Sequence, residues 1–177
     1  LREGTNLREL IYEHCGGILG DKKLMAVIPG GASSAPLTAD EIDVAMDFEA
    51  LKKKGTMFGS AGIMVIAEGR CVVKILARTL KFFHHESCGQ CTPCREGTGW
   101  IHRLMERLEH GGEAAVIRKD MGLLFSICDN MVGNTICVLA DGAVMPTKGF
   151  VNKFRGVFEA HMDGRGCPLR RGEEGHA

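Results

Sequence analysis

The sequence predicts an α+β chain: a small mixed unit over residues 1–68, a four-helix bundle over 69–162, and a polar tail over 163–177. Three observations carry this reading. Before Gly69, short apolar runs alternate with turns rich in glycine and proline. After Gly69, apolar residues recur at steps of three and four over long stretches, the period of helices packed on one face. Within this second stretch, three cysteines fall within seven residues.

In the first unit, Leu7, Leu10 and Ile11 stand at helical spacing within Thr5–Tyr12. Thr5 or Asn6 serves as the cap, and Gly16-Gly17 marks the stop. Leu24–Ile28 is a short apolar run closed by Pro29-Gly30-Gly31 and reads as a strand. Phe48–Lys54 reads as a short helix ended by Gly55, with Lys52-Lys53-Lys54 as its solvated end or a contact for an acidic partner. After the turn at Gly59-Ser60-Ala61-Gly62, Ile63–Ala67 reads as a second buried strand.

The bundle is read from four apolar faces. Val72, Ile75, Leu76, Thr79, Leu80 and Phe83 form the first, and Ile101, Leu104, Met105 and Leu108 the second. Ile117, Met121, Leu124, Cys128 and Met131 step by 4, 3, 4 and 3, a bundle seam. Phe150, Val151, Phe154, Val157 and Phe158 make the fourth. The remainder, DGRGCPLRRGEEGHA, is polar and glycine-rich and reads as a loose, flexible terminus.

Composition narrows the function classes. Twenty-two Lys and Arg balance twenty-two Asp and Glu, which argues against a partner selected by bulk charge, such as nucleic acid or an anionic membrane. Hydrophobic residues are 45% and charged ones 25%, the balance of a folded globular chain. No apolar run approaches the roughly 18–20 residues of a membrane span, and the opening LREGTNLREL does not read as a secretory signal. Eight cysteines are too sparse for a disulfide miniprotein, and their clustering suits metal or redox ligands under reducing conditions.

Cys88, Cys91 and Cys94 are each separated by two residues, the spacing of three ligands on one face of a [4Fe–4S] cube. Gly89 lets the backbone approach a cluster, and Pro93 stiffens the turn. A helix opening near Arg95 would aim its free N–H groups at an anionic group. A four-cysteine zinc site and a redox dithiol are the competing readings. Structural zinc usually takes two separated cysteine pairs, and a dithiol needs only two of these thiols.

For a fourth ligand, Cys128 lies on an apolar seam and reads as core. Cys167 precedes Pro168 in the tail, and Cys15 and Cys71 lie in or beside the first unit. Cys137 follows Gly133-Asn134-Thr135-Ile136, past a helix end and before an expected Asp141-Gly142 turn, in a loop able to fold over a cluster. It is the preferred fourth ligand.

The segment His85-Glu86-Ser87-Cys88-Gly89-Gln90-Cys91-Thr92-Pro93-Cys94-Arg95-Glu96-Gly97 resembles the ESCGxCxPCREG signature of the NADH-binding (F-type) flavoprotein subunits of NADH-quinone oxidoreductase, respiratory complex I. The same module occurs in NAD-reducing hydrogenases and NAD-dependent formate dehydrogenases. Asn134–Ala143 is similar to the family's fourth-ligand segment, and Gly149–Arg155 is similar to the stretch that follows it. Gly30–Ser34, Met46–Glu49 and Gly55–Gly59 resemble the family's β-grasp (ubiquitin-like), soluble-ligand-binding-type domain, with its first strand expected to be missing here.

The resemblance implies an electron-transfer module. One [4Fe–4S] cluster on Cys88, Cys91, Cys94 and Cys137 would take single electrons from FMN reduced by NADH and pass them to partner subunits. It implies as partners the thioredoxin-like [2Fe–2S] subunit and the large iron–sulfur subunit, at the cytoplasmic or matrix face, peripheral to the membrane. The family's FMN- and NADH-binding domain lies N-terminal to the region matched. No glycine-rich phosphate loop follows a strand and opens a helix in these 177 residues, so the chain is expected to be the C-terminal part of such a subunit. The alternative from another class is a zinc-stabilised, non-enzymatic adaptor.

Two departures stand near the motif: Met145 where the family often has an aromatic, and Lys148 where it often has glutamine. His84 and His85 read as helix-end residues favouring the dipole, and Glu86 and Glu96 as groups supporting the loop. Trp100 reads as core or interface rather than a stack for a cofactor.

Overall fold

The structure, a computed structural model, describes residues 4–172, apart from the side chain of Arg171; the expectation of a flexible terminus over 173–177 lies outside the described residues. The chain divides into two compact units, Leu1–Arg70 and Cys71–Ala177.

In the first unit the Asn6 side chain accepts the Arg8 N–H at 2.9 Å and opens α1, Leu7–Glu9. The helix runs on as a π turn over Leu10–His14, closed by Cys15 N–H donating to Leu10 O at 3.0 Å. Both Leu7 and Ile11 are buried. β1, Leu24–Ile28, is the central strand of a three-stranded antiparallel sheet. β2, Leu37–Thr38, pairs on one side with Thr38 opposite Ala26. β3, Met64–Ala67, pairs on the other with Val65 opposite Val27.

Ala26, Val27 and Ile28 are all buried, which is why β1 is a continuous apolar run rather than an alternating one. The sequence expects the second strand to be buried too. Instead β3 is an edge strand in which Met64 and Val65 are exposed and Ile66 alone is fully buried. Between β2 and β3, α2, Phe48–Lys53, is capped by Asp47, whose Oδ1 accepts the Ala50 N–H at 2.7 Å. Leu51 on α2 joins Leu7, Ile11, Val27, Leu37 and Ile42 in the core of this unit. Gly30 is required by packing: a Cβ there would lie 2.2 Å from the Met57 carbonyl oxygen.

The second unit is helical. α3, Val72–Glu86, packs against α4, Thr92–His110, and against α6, Leu139–Lys153. α5, Ala114–Met131, packs against α4 and α6, and α7, Arg155–His161, closes the set. The α5 seam read from sequence is the buried face: Ile117, Met121, Leu124, Cys128 and Met131. Val72, Leu76 and Leu80 of α3 and Ile101, Met105 and Leu108 of α4 are buried with them. Each large side chain so buried contributes about 1.5–3 kcal/mol of transfer free energy. No helix among the described residues is long and apolar enough to cross a membrane.

Three expectations are corrected here. Asp141-Gly142 is not a turn but lies in the first turn of α6. Ala140, Ala143, Val144, Thr147 and Val151 are buried at helical spacing, and this stripe of small residues outweighs the local turn signal. The single fourth helix expected over Phe150–Phe158 is broken at Phe154 (φ −115°, ψ 35°), where α6 ends and α7 begins.

The third concerns the segment 163–172, which is not loose. Gly112 N–H donates to Gly164 O at 2.8 Å, and Cys167 N–H donates to Glu109 O at 3.0 Å. The Arg170 guanidinium pairs with the buried Glu109 carboxylate, and Cys167 is 3% exposed. Glycine makes this approach possible, since a Cβ on Gly166 would stand 2.6 Å from the His110 carbonyl oxygen.

Candidate metal centre

α3 ends at Glu86, and the chain turns through Ser87–Gln90 into α4. Gly89 takes φ +78°, a left-handed conformation that glycine adopts without steric cost. Cys91 is the N-cap of α4, and its carbonyl accepts the Arg95 N–H at 2.9 Å. Pro93 sits in the first turn, where a missing N–H costs nothing. Cys94 follows in the same turn and is buried, Cys91 is half-buried, and Cys88 is exposed. The three cysteines therefore stand just before and within the opening of one helix, whose unpaired N–H groups favour negative charge.

The loop is tied down by its own side chains. Arg95 Nη1 donates to Gly89 O at 2.7 Å, Nη2 reaches Thr92 Oγ1 at 3.4 Å, and Nε pairs with Glu96 Oε1 at 3.1 Å. Ser87 Oγ lies 3.3 Å from Cys94 Sγ and accepts the Gly89 N–H at 3.4 Å. Thr98 Oγ1 donates to Cys94 O at 2.7 Å, holding that cysteine from the helix side.

Cys137 lies in the connection between α5 and α6 and is exposed. Its neighbour Ile136 donates its N–H to Cys91 Sγ at 3.4 Å, which seats this connection beside the Cys88–Cys94 loop. Thr135 Oγ1 donates to Cys137 O at 2.8 Å, and Asp141 Oδ1 accepts the Gly133 N–H at 3.2 Å. Four soft thiol donors, arranged three and one, with backbone N–H groups and an arginine beside them, suit an anionic iron–sulfur group.

The other residues singled out fall as follows. Cys128 is fully buried on the α5 seam, and burial pushes its thiol up to about 12 against the opposing pull of Lys148. Cys15 is exposed in the first unit. His84 and His85 occupy the last turn of α3; the His84 ring stands 6.0 Å from that of His102, and His85 Nδ1 pairs with Glu86 at 3.0 Å. Met145 is exposed, and Lys148 pairs with Asp129 of α5. Trp100 is half-exposed and lines a cavity of about 680 Å³ with Pro93, Leu104, Leu123, Ile127 and Met131.

Sequence reasoning missed one grouping. Cys71 Sγ, His161 Nε2 and Cys167 Sγ lie within 4.8 Å of one another. Burial pushes the Cys71 thiol up to about 12, opposed by the backbone N–H groups of Lys74 and Val73 and assisted by the neighbouring Cys167. With the first and second members 90 positions apart, no local spacing could have announced the group.

Comparison with known proteins bears on the thiol loop. Residues 74–161 match the family described as the NADH-ubiquinone oxidoreductase-F iron-sulfur binding region. The second of the NADH-quinone oxidoreductase F subunits of Rhizobium meliloti (strain 1021) is 46% identical over 167 residues, 94% of this chain and 39% of the relative. The NADH-quinone oxidoreductase F subunit of Mycobacterium tuberculosis (strain ATCC 25618 / H37Rv) is 39% identical over 166 residues, 94% of this chain and 36% of the relative. Among solved structures, an NAD+-reducing [NiFe]-hydrogenase in the H2-reduced state superposes with a TM-score of 0.76 at 27% identity, covering 91% of this chain and 26% of that one. The chain thus spans about two fifths, or less, of the length of these relatives.

Proposed function

Through residues 74–161 the chain belongs to the family of the NADH-ubiquinone oxidoreductase-F iron-sulfur binding region, and from that premise we propose that it is the electron-transfer part of an F-type subunit, with Cys88, Cys91, Cys94 and Cys137 as ligands of one [4Fe–4S] cluster. The observation that carries the proposal is the Ile136 N–H on Cys91 Sγ at 3.4 Å, which joins the lone-cysteine connection to the three-cysteine loop. When bound, such a cluster supplies one-electron transfer.

The chain's own residues hold, shield and charge-balance the site. Cys94, buried and fixed by Thr98, forms its inner wall. Arg95 keeps the Gly89 turn closed and adds positive charge beside the thiolates. The amino end of α4 carries partial positive charge and the Ile136 N–H reaches Cys91 Sγ, and positive charge and hydrogen bonds to sulfur both raise a reduction potential. Cys88 and Cys137 lie at the solvent face, so an electron partner has short access there.

In the whole protein so proposed, NADH reduces FMN in an N-terminal domain, and the electrons leave toward the thioredoxin-like [2Fe–2S] and large iron–sulfur subunits of a peripheral complex at the cytoplasmic or matrix face. The first unit is read as the β-grasp domain, bracing neighbours rather than binding a ligand. A second reading, favoured by the structural likeness to the NAD+-reducing hydrogenase, keeps the same cluster and changes only the electron partner.

Anaerobic reconstitution of the chain with iron and sulfide tests the proposal. The expected product binds about four irons per chain and bleaches on uptake of one electron. A colourless protein that takes up no iron overturns it. Retention of an intact four-iron signal by Cys137→Ser refutes the fourth ligand alone.

A further inference from the structure

The geometry points to a second metal site in the helical unit: we propose that Cys71, His161 and Cys167 bind one zinc ion that ties the start of α3 to the end of α7 and the segment after it. None of these residues takes part in the iron–sulfur site, and they come from places far apart in the chain. Cys71 is the residue before α3, His161 is the last residue of α7, and Cys167 opens the turn Pro168–Arg171.

The donor atoms are already close to a zinc shell. Zinc–sulfur bonds of about 2.3 Å and zinc–nitrogen bonds of about 2.0–2.1 Å in a tetrahedron separate sulfur from nitrogen by about 3.6 Å and sulfur from sulfur by about 3.8 Å. Cys71 Sγ stands 3.3 Å from His161 Nε2, and all three donors lie within 4.8 Å of one another. Gathering them on one ion needs shifts of about 1 Å or less, which side-chain torsions provide.

The histidine is set in the tautomer a metal requires. His161 Nδ1 donates to the Val157 carbonyl at 2.7 Å, which leaves Nε2 as the basic nitrogen facing the two sulfurs. His161 and Cys167 are 2% and 3% exposed, so ring and thiol cannot drift into solvent.

Cys167 is positioned by the backbone itself. Its N–H donates to Glu109 O, and Gly112 N–H to Gly164 O, so the sulfur is delivered independently of any ion. Two thiolates and an imidazole are a donor set of zinc, with the fourth position going to water. The two thiol protons leave on binding, so the neutral ion–ligand group replaces a polar cluster in a buried setting.

The test is metal analysis of the full chain carrying its iron–sulfur group, equilibrated with Zn2+ and then passed over a weak chelator. The expected result is one zinc per chain with a shell of two sulfurs and one imidazole by zinc X-ray absorption. Cys71→Ser, His161→Gln and Cys167→Ser should each weaken it by at least about tenfold. Cys15→Ser and Cys88→Ser should leave the zinc in place. Should a variant fail to fold, the unaltered chain still decides: bound Zn2+ must protect Cys71 and Cys167, mapped by mass spectrometry, from alkylation. Absence of stoichiometric zinc, zinc that departs with Cys88 or Cys137 instead, or a Cys71–Cys167 disulfide in protein purified without oxidant would each overturn the assignment. Loss of iron with zinc retained would sink the iron–sulfur reading and leave this one standing.

Discussion

Cys88 and Cys137 stand on connections and Cys91 and Cys94 in the opening of α4, two of the four open to solvent, whereas Cys71, His161 and Cys167 converge from distant elements, the latter two in the interior. Three members of the first set, Cys88, Cys91 and Cys94, take their place from one tight turn into α4 held by Gly89, Pro93 and Arg95, and Cys137 is brought beside them only by the Ile136 N–H on Cys91 Sγ. The second takes its geometry from the packing of helix ends and from backbone bonds made by the segment 163–172. This contrast suits the two proposals: a cluster that exchanged electrons would benefit from an exposed edge, and a single ion that tied segments together would benefit from burial.

The largest effect expected on this contrast is from Cys91→Ser. Bound iron should fall from about four to below about one per chain, while zinc at the second set is unchanged. Iron and zinc measured on the same sample check this, and a joint loss would mean that the two sets are not independent.

Gly97 sits one turn below Cys94 on α4, where a Cβ would lie 2.6 Å from Met131 Cγ and Sδ of α5. Gly97→Val is expected to cost about 1–3 kcal/mol by overpacking, read as a lower denaturant midpoint. Met131→Ala in the same chain should recover part of that loss, because a smaller side chain then faces the intrusion. No recovery would show that the loss does not arise at this contact between α4 and α5.

Arg170→Ala acts on the other set. It removes one of the two partners of the Glu109 carboxylate, whose side chain is 3% exposed, and leaves His110 Nδ1 at 3.0 Å. The charged hydrogen bond, discounted for the half-exposed arginine, is worth about 1–2 kcal/mol. Thermal unfolding should shift accordingly, with zinc affinity weakened and iron content unaltered.

The smallest effect is a pH dependence from His102. Burial holds its pKa below the ordinary 6.5, countered by Glu106 and assisted by His84 and Lys81. The unfolded chain takes up the proton first as pH falls, so stability is full above 6.5 and declines as pH drops from there toward the folded value. Urea titrations at stepped pH should show that decline, flattened in His102→Gln. An unchanged slope in the variant would assign it elsewhere.

Much of the local structure is legible in the sequence. β1, α2, α3 and α5 follow from apolar period and punctuating glycines, and the α5 seam is buried residue for residue. The three-cysteine spacing is legible for the same reason: a seven-residue loop carries its geometry in its own order. The start of α6 is hidden because Asp141-Gly142 is a strong turn signal, and the stripe Ala140, Ala143, Val144 and Thr147 that overrides it is made of small side chains. The order of the segment 163–172 is hidden because its stability rests on backbone partners at Glu109 and Gly112, which composition does not reveal.

By itself, then, the sequence determined the secondary structure with strong period, the buried identity of Cys128 and the turn that sets Cys91 and Cys94 at the opening of α4 with Cys88 just before it. These depend on forces acting within a few residues: steric limits on φ and ψ, the helical repeat, and side chain to backbone bonds. Tertiary structure decided the position of Ile136 against Cys91, the burial of Glu109 and the meeting of Cys71, His161 and Cys167. Those arrangements arise only when helices pack, because partners as far apart in the chain as Cys71 and Cys167 come together through shared burial rather than through any local rule.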